Sequence, residues 1–312
     1  MEHTDPKEKA PLVSIAMCTY NGEQFLREQL DSLIAQDYPN IEIIIVDDCS
    51  TDSTFNILKE YQSNHSHIRA MKNPANLGFV KNFEKATSLC SGDYISLCDQ
   101  DDIWFSHKIS QLVDHIGESN LIYSGVQLIN EKGQKIKREF LTIHRLSGKC
   151  HLGLLFANCV TGHTCLIKRQ ALNKALPFPE KITVHDHWIA LVSAATGGIK
   201  AHPETLSLYR QHDSNAILGE KEHHKNKFIK RKQLFNTQMA FIKAARNVDG
   251  LPEDDRNLID SIIVAYGAYT RCFINRKLRK ILRRHNEQLL PLYPDKEKAI
   301  KRISRGYLKN LI

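Results

Sequence analysis

The first hundred residues alternate between short β-branched apolar runs and stretches with a helical apolar stripe, and no other feature of the chain restricts its fold so strongly. "LVSIAMCTY" reads as a buried strand ending at the turn-forming pair Asn21-Gly22. "EQFLREQLDSLIAQ" then places Phe25, Leu26, Leu30, Leu33 and Ile34 along one side of a helix. The unit repeats. "IEIIIVDD" is a strand, "STDSTFNILKEYQ" a helix opened by Ser50 or Thr51 as its cap, "HIRAM" a third strand, "GFVKNFEKATSLC" a helix and "DYISLCD" a fourth strand. Strands and helices in this order predict an α/β fold: a mainly parallel, twisted sheet flanked by helices, with ligands at the carboxyl ends of the strands.

Two of those ends carry carboxylates. In "YISLCDQDDIW" an apolar run breaks into Asp99, Asp101 and Asp102 and resumes at Ile103 and Trp104. Like charges this close repel unless they are solvated or neutralised, so the cluster points to a cation. If the segment stays extended, Asp99 and Asp101 share a face and Gln100 points the other way. Asp47-Asp48 ends "IEIIIVDD" in the same manner. Its plainer reading is a turn or helix-capping pair, since "DDCSTDS" is rich in such residues. A hard divalent cation held by one or two carboxylates usually completes its shell with water and substrate phosphates, which implies a phosphorylated substrate. The chain has no G-x-x-x-x-G-K-[ST], and no G-x-G-x-x-G follows the first strand, so P-loop and dinucleotide readings lack support. A phosphatase with an Asp nucleophile carries it after the first strand, where this chain has "CTYNG".

Composition supplies the body that holds such a site. The 312 residues are 42% hydrophobic and 25% charged, ordinary globular usage for one large domain or one with an appendage. No apolar run approaches the roughly 20 residues of a membrane-spanning helix, and "MEHTDPKEKA" lacks the apolar centre of a signal peptide. A cytoplasmic location is the expectation. Eight scattered cysteines, with no C-x-x-C pair, fit buried thiols better than a zinc site or disulfides. The net charge of +8 is unevenly placed: Glu220 to Ile312 holds 22 Lys and Arg against 10 Asp and Glu, whereas the first 219 residues hold 21 against 25. Within the basic third, "KNKFIKRKQLFNTQMAFIKAARN" and "IDSIIVAYGAYTRCFINRKLRKILRRH" read as helices separated by "VDGLPEDD".

Taken in order and spacing, "VSIAMCTYNGEQFLREQLDSLIAQDYPNIEIIIVDDCSTDST", "NLGFVKNFEKA", "GDYISLCDQDDIW", "HDHWIALVSAATGGI" and "YRQHDSN" resemble glycosyltransferase family 2, the inverting enzymes of the GT-A, Rossmann-like fold, and are most similar to its bacterial rhamnosyltransferase branch. The resemblance divides the chain into a polar segment 1–10, a GT-A domain 11–215 and a basic helical extension 216–312. It implies that Thr19 and Tyr20 line a nucleobase pocket, that Asp48 hydrogen-bonds the base and that Asp99 lies near the ribose and metal. It further implies that Asp101 binds a divalent cation, Mg2+ or Mn2+, that His212 reaches the metal or diphosphate, that Lys81 reaches a phosphate, and that Asp186 is the catalytic base. The partners it implies are a nucleotide-sugar donor, with dTDP-rhamnose or a UDP-sugar as the expectation, and a glycan or lipid-linked acceptor in cell-surface polysaccharide synthesis such as O-antigen.

The residues themselves agree with parts of this. A leaving diphosphate accumulates charge that a cation stabilises, and an acceptor hydroxyl needs a base on the opposite face. Asp186 opens the apolar helix "WIALVSAA", where an acid is also favoured by the helix dipole. His163, His185 and His187 fit an acceptor pocket or the core equally well, and Trp104 and Trp188 fit sugar stacking or packing. Two other classes compete. The basic tail suits a nucleic-acid binder, but its cations lie on apolar-striped helices with no nucleic-acid motif, which suits packing or an anionic membrane surface as well, and no nucleic-acid partner is expected. A non-catalytic nucleotide-sugar-binding relic is disfavoured by the intact Asp48, Asp99, Asp101 and Asp186.

Overall fold

The computed structural model describes residues 10–137, 143–212, 227–267 and 275–305. Strand β1 (Val13–Thr19) is buried along its whole length and lies between β2 (Ile41–Asp47) and β4 (Tyr94–Cys98), parallel to both. β3 (Ile68–Lys72) adds to the far side of β2 in the same direction. Beyond β4 the sheet becomes mixed: β7 (Cys165–Lys168) runs antiparallel to β4, β6 (Leu121–Asn130) antiparallel to β7, β8 (Ile199–Gln211) parallel to β6, and the short β5 (Ile103–Trp104) antiparallel to β8. The strand order is β3-β2-β1-β4-β7-β6-β8-β5, eight in one sheet. The α/β expectation is met, with antiparallel neighbours on one side.

Alternation along the strands sorts the core into two layers. Ile15, Met17, Ile43 and Ile45 face one side, where Leu26, Leu30 and Leu33 of α1 (Leu26–Ile34), Leu58 of α2 (Thr54–Asn64) and Ile109 and Leu112 of α4 (Lys108–Ile116) cover them. Ala16, Cys18, Ile44 and Val46 face the other side, beneath Phe83 of α3 (Phe79–Ser88), Leu172 of α5 (Arg169–Ala175) and the apolar α6 (His185–Thr196).

The C-terminal helices join that second layer. They are α7 (Lys227–Arg246), α8 (Glu253–Gly267), α9 (Arg276–Arg284), the short α10 (Asn286–Leu289) and α11 (Lys296–Ile303). Ile242, Leu278, Leu282, Leu289 and Leu290 are all fully buried in the same cluster as the sheet residues. Polar links add to the seam: Gln238 donates to the Leu155 carbonyl at 2.7 Å, the Tyr293 hydroxyl to the Phe156 carbonyl at 3.0 Å, and His151 Nε2 lies 2.9 Å from Asp255. Of the stretch from 259 to 285 read as helical, the described residues belong mainly to α8 and α9. Asn275 begins the second by accepting the Leu278 N–H at 2.9 Å. Phe273 and Ile274, placed by sequence on the apolar stripe of α9, lie outside the described residues. The described rest of that stripe packs on the protein, Leu278 and Leu282 fully buried and Ile281 partly buried against the same cluster. Among the described residues, no helix is long and apolar enough to cross a membrane.

Candidate active site

The carboxyl ends of β1, β2 and β4 converge on one cavity of about 410 Å³. Thr19, Tyr20, Asp48, Asp99, Asp101 and Asp186 all line it, so six of the eight site residues singled out from sequence share one space. His212 adjoins it through Asp101. Lys81 stands apart: its ammonium pairs with Glu84 at 3.0 Å on the half-exposed outer surface of α3.

Asp47 and Asp48 have separate tasks. Asp47 is fully buried and braces the turn, accepting from the Thr19 hydroxyl at 3.0 Å, the Ser50 N–H at 3.0 Å and the Ser50 hydroxyl. This explains why Ser50 does not cap α2, which begins at Thr54. Asp48 turns into the cavity wall, where Leu77 and Gly78 donate their N–H groups to its carboxylate at 2.8 and 2.9 Å and Asn73 donates from its amide at 2.8 Å. The loop entering α3 is thereby tied to the end of β2. Gly78 at φ 79° adopts the left-handed backbone that a glycine tolerates.

After Cys98 the chain leaves the sheet and bends, so the alternation argument for Asp99 and Asp101 does not apply, although both still reach the cavity. The Asp101 carboxylate lies 2.8 Å from His212 Nε2 at the end of β8. Burial pushes its pKa up to about 6, with the His212 contact opposing and the neighbouring Asp102 and Asp99 charges adding to the rise. Asp102 is sealed beneath, 3.0 Å from His163 Nδ1, and Asp99 approaches the same nitrogen at 3.7 Å. Burial works against a charge on His163, but Asp102 and Asp99 outweigh it and raise the imidazole to about 9. Ligand atoms of Asp99, Asp102 and His163 lie within 4.8 Å of one another. Asp102 and His163 are fully enclosed and do not line the cavity. Asp99 is the member of that group that lines the cavity, and Asp101, with His212 beside it, lines it as well.

Arg210 holds this end of β8 in place. It is fully buried, donates from Nε to the Asp101 carbonyl at 2.9 Å and from Nη1 to the Glu131 carbonyl at 2.9 Å, pairs with Glu28, and lies 4.7 Å above the Phe25 ring. Its own N–H donates to Asp102 at 3.1 Å. Buried Lys108, held near the Trp104 ring and donating to the His163 carbonyl, is lowered to about 7 by burial.

Asp186 sits in the first turn of α6 and lines the same cavity. Gly162 N–H donates to one oxygen at 2.9 Å and the Asn158 amide to the other at 3.0 Å. Burial raises its pKa to about 7, the Gly162 bond opposing and the Asp99 charge adding. A carboxyl poised near neutrality and facing a cavity is suited to taking a proton. The flanking histidines differ. His185 lines the cavity, stacked on Phe83 at 4.1 Å, and burial lowers it to about 4. His187 points away to the Leu154 carbonyl at 2.6 Å. Both tryptophans belong to the core, with Trp188 Nε1 donating to the Ala175 carbonyl at 2.9 Å.

Asn158, Gly162, Gln100 and Arg210 escaped the sequence reading. Each acts through a contact formed between segments distant in the chain, which leaves no local periodicity. Only the neighbourhood of "VTGH" and "YRQH" to the other motifs hints at them.

Comparison with known proteins gives a consistent picture. A model of glycosyl transferase family 2 matches residues 14–176. The dTDP-rhamnosyl transferase RfbG of Shigella flexneri is 32% identical over 217 residues, covering 64% of this chain and 73% of the relative. Among solved structures, S. aureus TarS 1-349 in complex with UDP-GlcNAc aligns with a TM-score of 0.60 at 17% identity, over 89% of this chain and 81% of that one. The mannosyltransferase PcManGT from Pyrobaculum calidifontis, in complex with GDP-Man and Mn2+, aligns with a TM-score of 0.54 at 17% identity, over 91% and 77%. At such identities the two structures speak for the fold.

Proposed function

Because the chain belongs to glycosyl transferase family 2, we propose that its cavity binds a nucleotide-diphosphate sugar and that Asp186 removes the proton from an acceptor hydroxyl as it attacks the anomeric carbon. The observation that carries this is that Asp101 and Asp186 line one cavity, the first beside His212, the second held near neutrality by burial. About 410 Å³ lies within the usual range for small-molecule sites, roughly 300–1,000 Å³.

In this mechanism Thr19, Tyr20 and Asp48 receive the nucleoside end, and Asp99 and Asp101 the ribose and diphosphate. Gly162 and Asn158 hold the Asp186 carboxylate so that its remaining lone pairs face the acceptor. The acceptor oxygen bonds to the anomeric carbon as the bond to the diphosphate breaks, the proton passes to Asp186, and attack from the far side inverts the configuration. The Asp101 carboxylate and the His212 imidazole form a hard, mixed oxygen and nitrogen donor pair, and the neighbouring carboxylates leave negative charge there to be offset. That set fits Mg2+ or Mn2+. Bound there, such a cation supplies Lewis-acid stabilisation of the departing diphosphate.

The finer assignments rest on similarity. The relationship to RfbG favours dTDP-rhamnose as donor, with UDP-hexoses as the alternative. The acceptor in this reading is a glycan or lipid-linked one of surface polysaccharide synthesis such as O-antigen. Residues 11–215 form the catalytic unit in this reading and 216–312 its extension, which works on the cytoplasmic side of the membrane. Exposed Arg276, Lys277, Lys280, Arg284, Lys298 and Lys301 on α9 and α11 favour electrostatic contact with an anionic membrane surface. A panel of nucleotide sugars, each assayed for hydrolysis and transfer with and without Mn2+, tests the proposal. Turnover of one donor, abolished by chelator, is expected; no turnover of any donor under either condition refutes it.

A further inference from the structure

The residue between the two cavity carboxylates has a use of its own. Gln100 turns its amide to the end of β1, where it meets both halves of one peptide edge: the Tyr20 N–H donates to Oε1 at 2.8 Å, and Nε2 donates to the Tyr20 carbonyl at 3.1 Å. The two bonds fix the orientation of the amide, because exchanging N and O would set donor against donor. Backbone pairing of β1 with β4 ends at Met17 and Cys98. Past that point the Gln100 side chain continues the pairing, much as a facing strand residue would.

Gly22 makes room for it. A Cβ on Gly22 would lie 2.2 Å from Gln100 Oε1 and 2.4 Å from Cδ. The Gly22 backbone cannot easily retreat, since its N–H donates to the Thr54 hydroxyl at 2.8 Å and its carbonyl accepts from Phe25 and Leu26 at the start of α1. An alanine there would instead displace the flexible end of Gln100. The turn at the other end of the clasp is fixed from β8, through Arg210 to the Asp101 carbonyl and His212 to the Asp101 carboxylate.

Resting on the functional reading above, we infer that Gln100 is a positioning residue: its amide clasp on Tyr20, admitted by Gly22, sets the distance between the nucleoside end and the diphosphate end of the site, so that both grip one nucleoside diphosphate. Tyr20 is half-exposed at the rim of the cavity.

Calorimetric titration with UDP and dTDP, and separately with inorganic pyrophosphate, all in Mn2+, tests this on wild type, Gln100→Leu, Gly22→Ala and the double variant. Each single change should weaken the better-bound nucleotide about tenfold, and the double should be no weaker than either, because both remove one contact. Pyrophosphate, which needs only the diphosphate end, should stay within about twofold of wild type. Circular dichroism melts confirm that the variants fold, and Gly22→Ala serves should Gln100→Leu fail. Nucleotide binding by both singles within about twofold of wild type, additive losses in the double, or an equal loss for pyrophosphate overturns the clasp alone. Wild-type protein that binds neither nucleotide but is folded overturns the donor-site reading and the clasp with it.

Discussion

The strand-end cavity and the C-terminal helices use charge in opposite ways. At the cavity, carboxylates and imidazoles are buried against one another, and their proton affinities move accordingly: Asp101 to about 6, Asp186 to about 7, His163 to about 9. On α9 and α11 most of the cations are exposed, and pairs such as Arg283 with Glu297 at 3.0 Å are more than half open to solvent. The apolar residues are reversed as well, with Leu278 and Leu282 sealed against the rest of the protein. Buried charge is what gives a site reactivity, because low dielectric magnifies each interaction. Exposed charge, screened by salt, decides at most what the surface attracts. The described helices of the basic third are therefore structural on their apolar face, and an electrostatic role for their outer one is the proposal to test.

The contrast can be broken from either end. Asp101→Asn keeps the size of the side chain and removes its charge, so kcat should fall by roughly three orders of magnitude or more while the melting temperature holds or rises. Steady-state kinetics with a thermal melt read both, and retained activity would put the cation elsewhere. Leu282→Ala should do the reverse: an unfolding free energy lower by about 2–5 kcal/mol in urea titration, with kcat per folded molecule unchanged at low temperature. Arg283→Ala should be the mildest, with no measurable change in urea midpoint. A combined Lys277→Ala and Lys280→Ala variant should lower co-sedimentation with phosphatidylserine vesicles at low salt without altering turnover in solution. Vesicle binding that ignores both salt and these residues would remove the electrostatic role of the outer face.

Much of the cavity was legible in sequence because its parts are local. β1 to β4 and α1 to α3 stand where apolar runs and stripes placed them; Asp99 and Asp101 stood out as a carboxylate cluster at a strand end, while Asp48 and Asp186 were singled out chiefly by the family resemblance. What was not legible depends on which partner wins. Ser50 had the chemistry of a helix cap, yet buried Asp47 and the Asn21 N–H take its hydroxyl, and α2 starts at Thr54 instead. Lys81 had the charge for a phosphate, but Glu84 one turn away on the same helix holds it outside the cavity. The start of α9 fell within an unbroken helical pattern, and only the capping Asn275 marked it. Asn158 and Gly162 hold Asp186 from 28 and 24 residues away, a distance over which sequence periodicity carries no signal.

The central claim, that Asp186 serves the acceptor across the cavity from the donor's diphosphate, meets its most direct test in the pairing of Asp186→Asn turnover with donor affinity. Asn keeps the size but cannot take the proton, so transfer should fall by about three orders of magnitude or more, while the donor dissociation constant measured by calorimetry stays within about threefold of wild type. Wild-type kcat/KM should meanwhile rise with pH and level off above about 7, as the carboxyl loses its proton, and the product should carry the inverted anomeric configuration. A variant that loses donor binding in step with turnover, or one that keeps its turnover, would contradict the account.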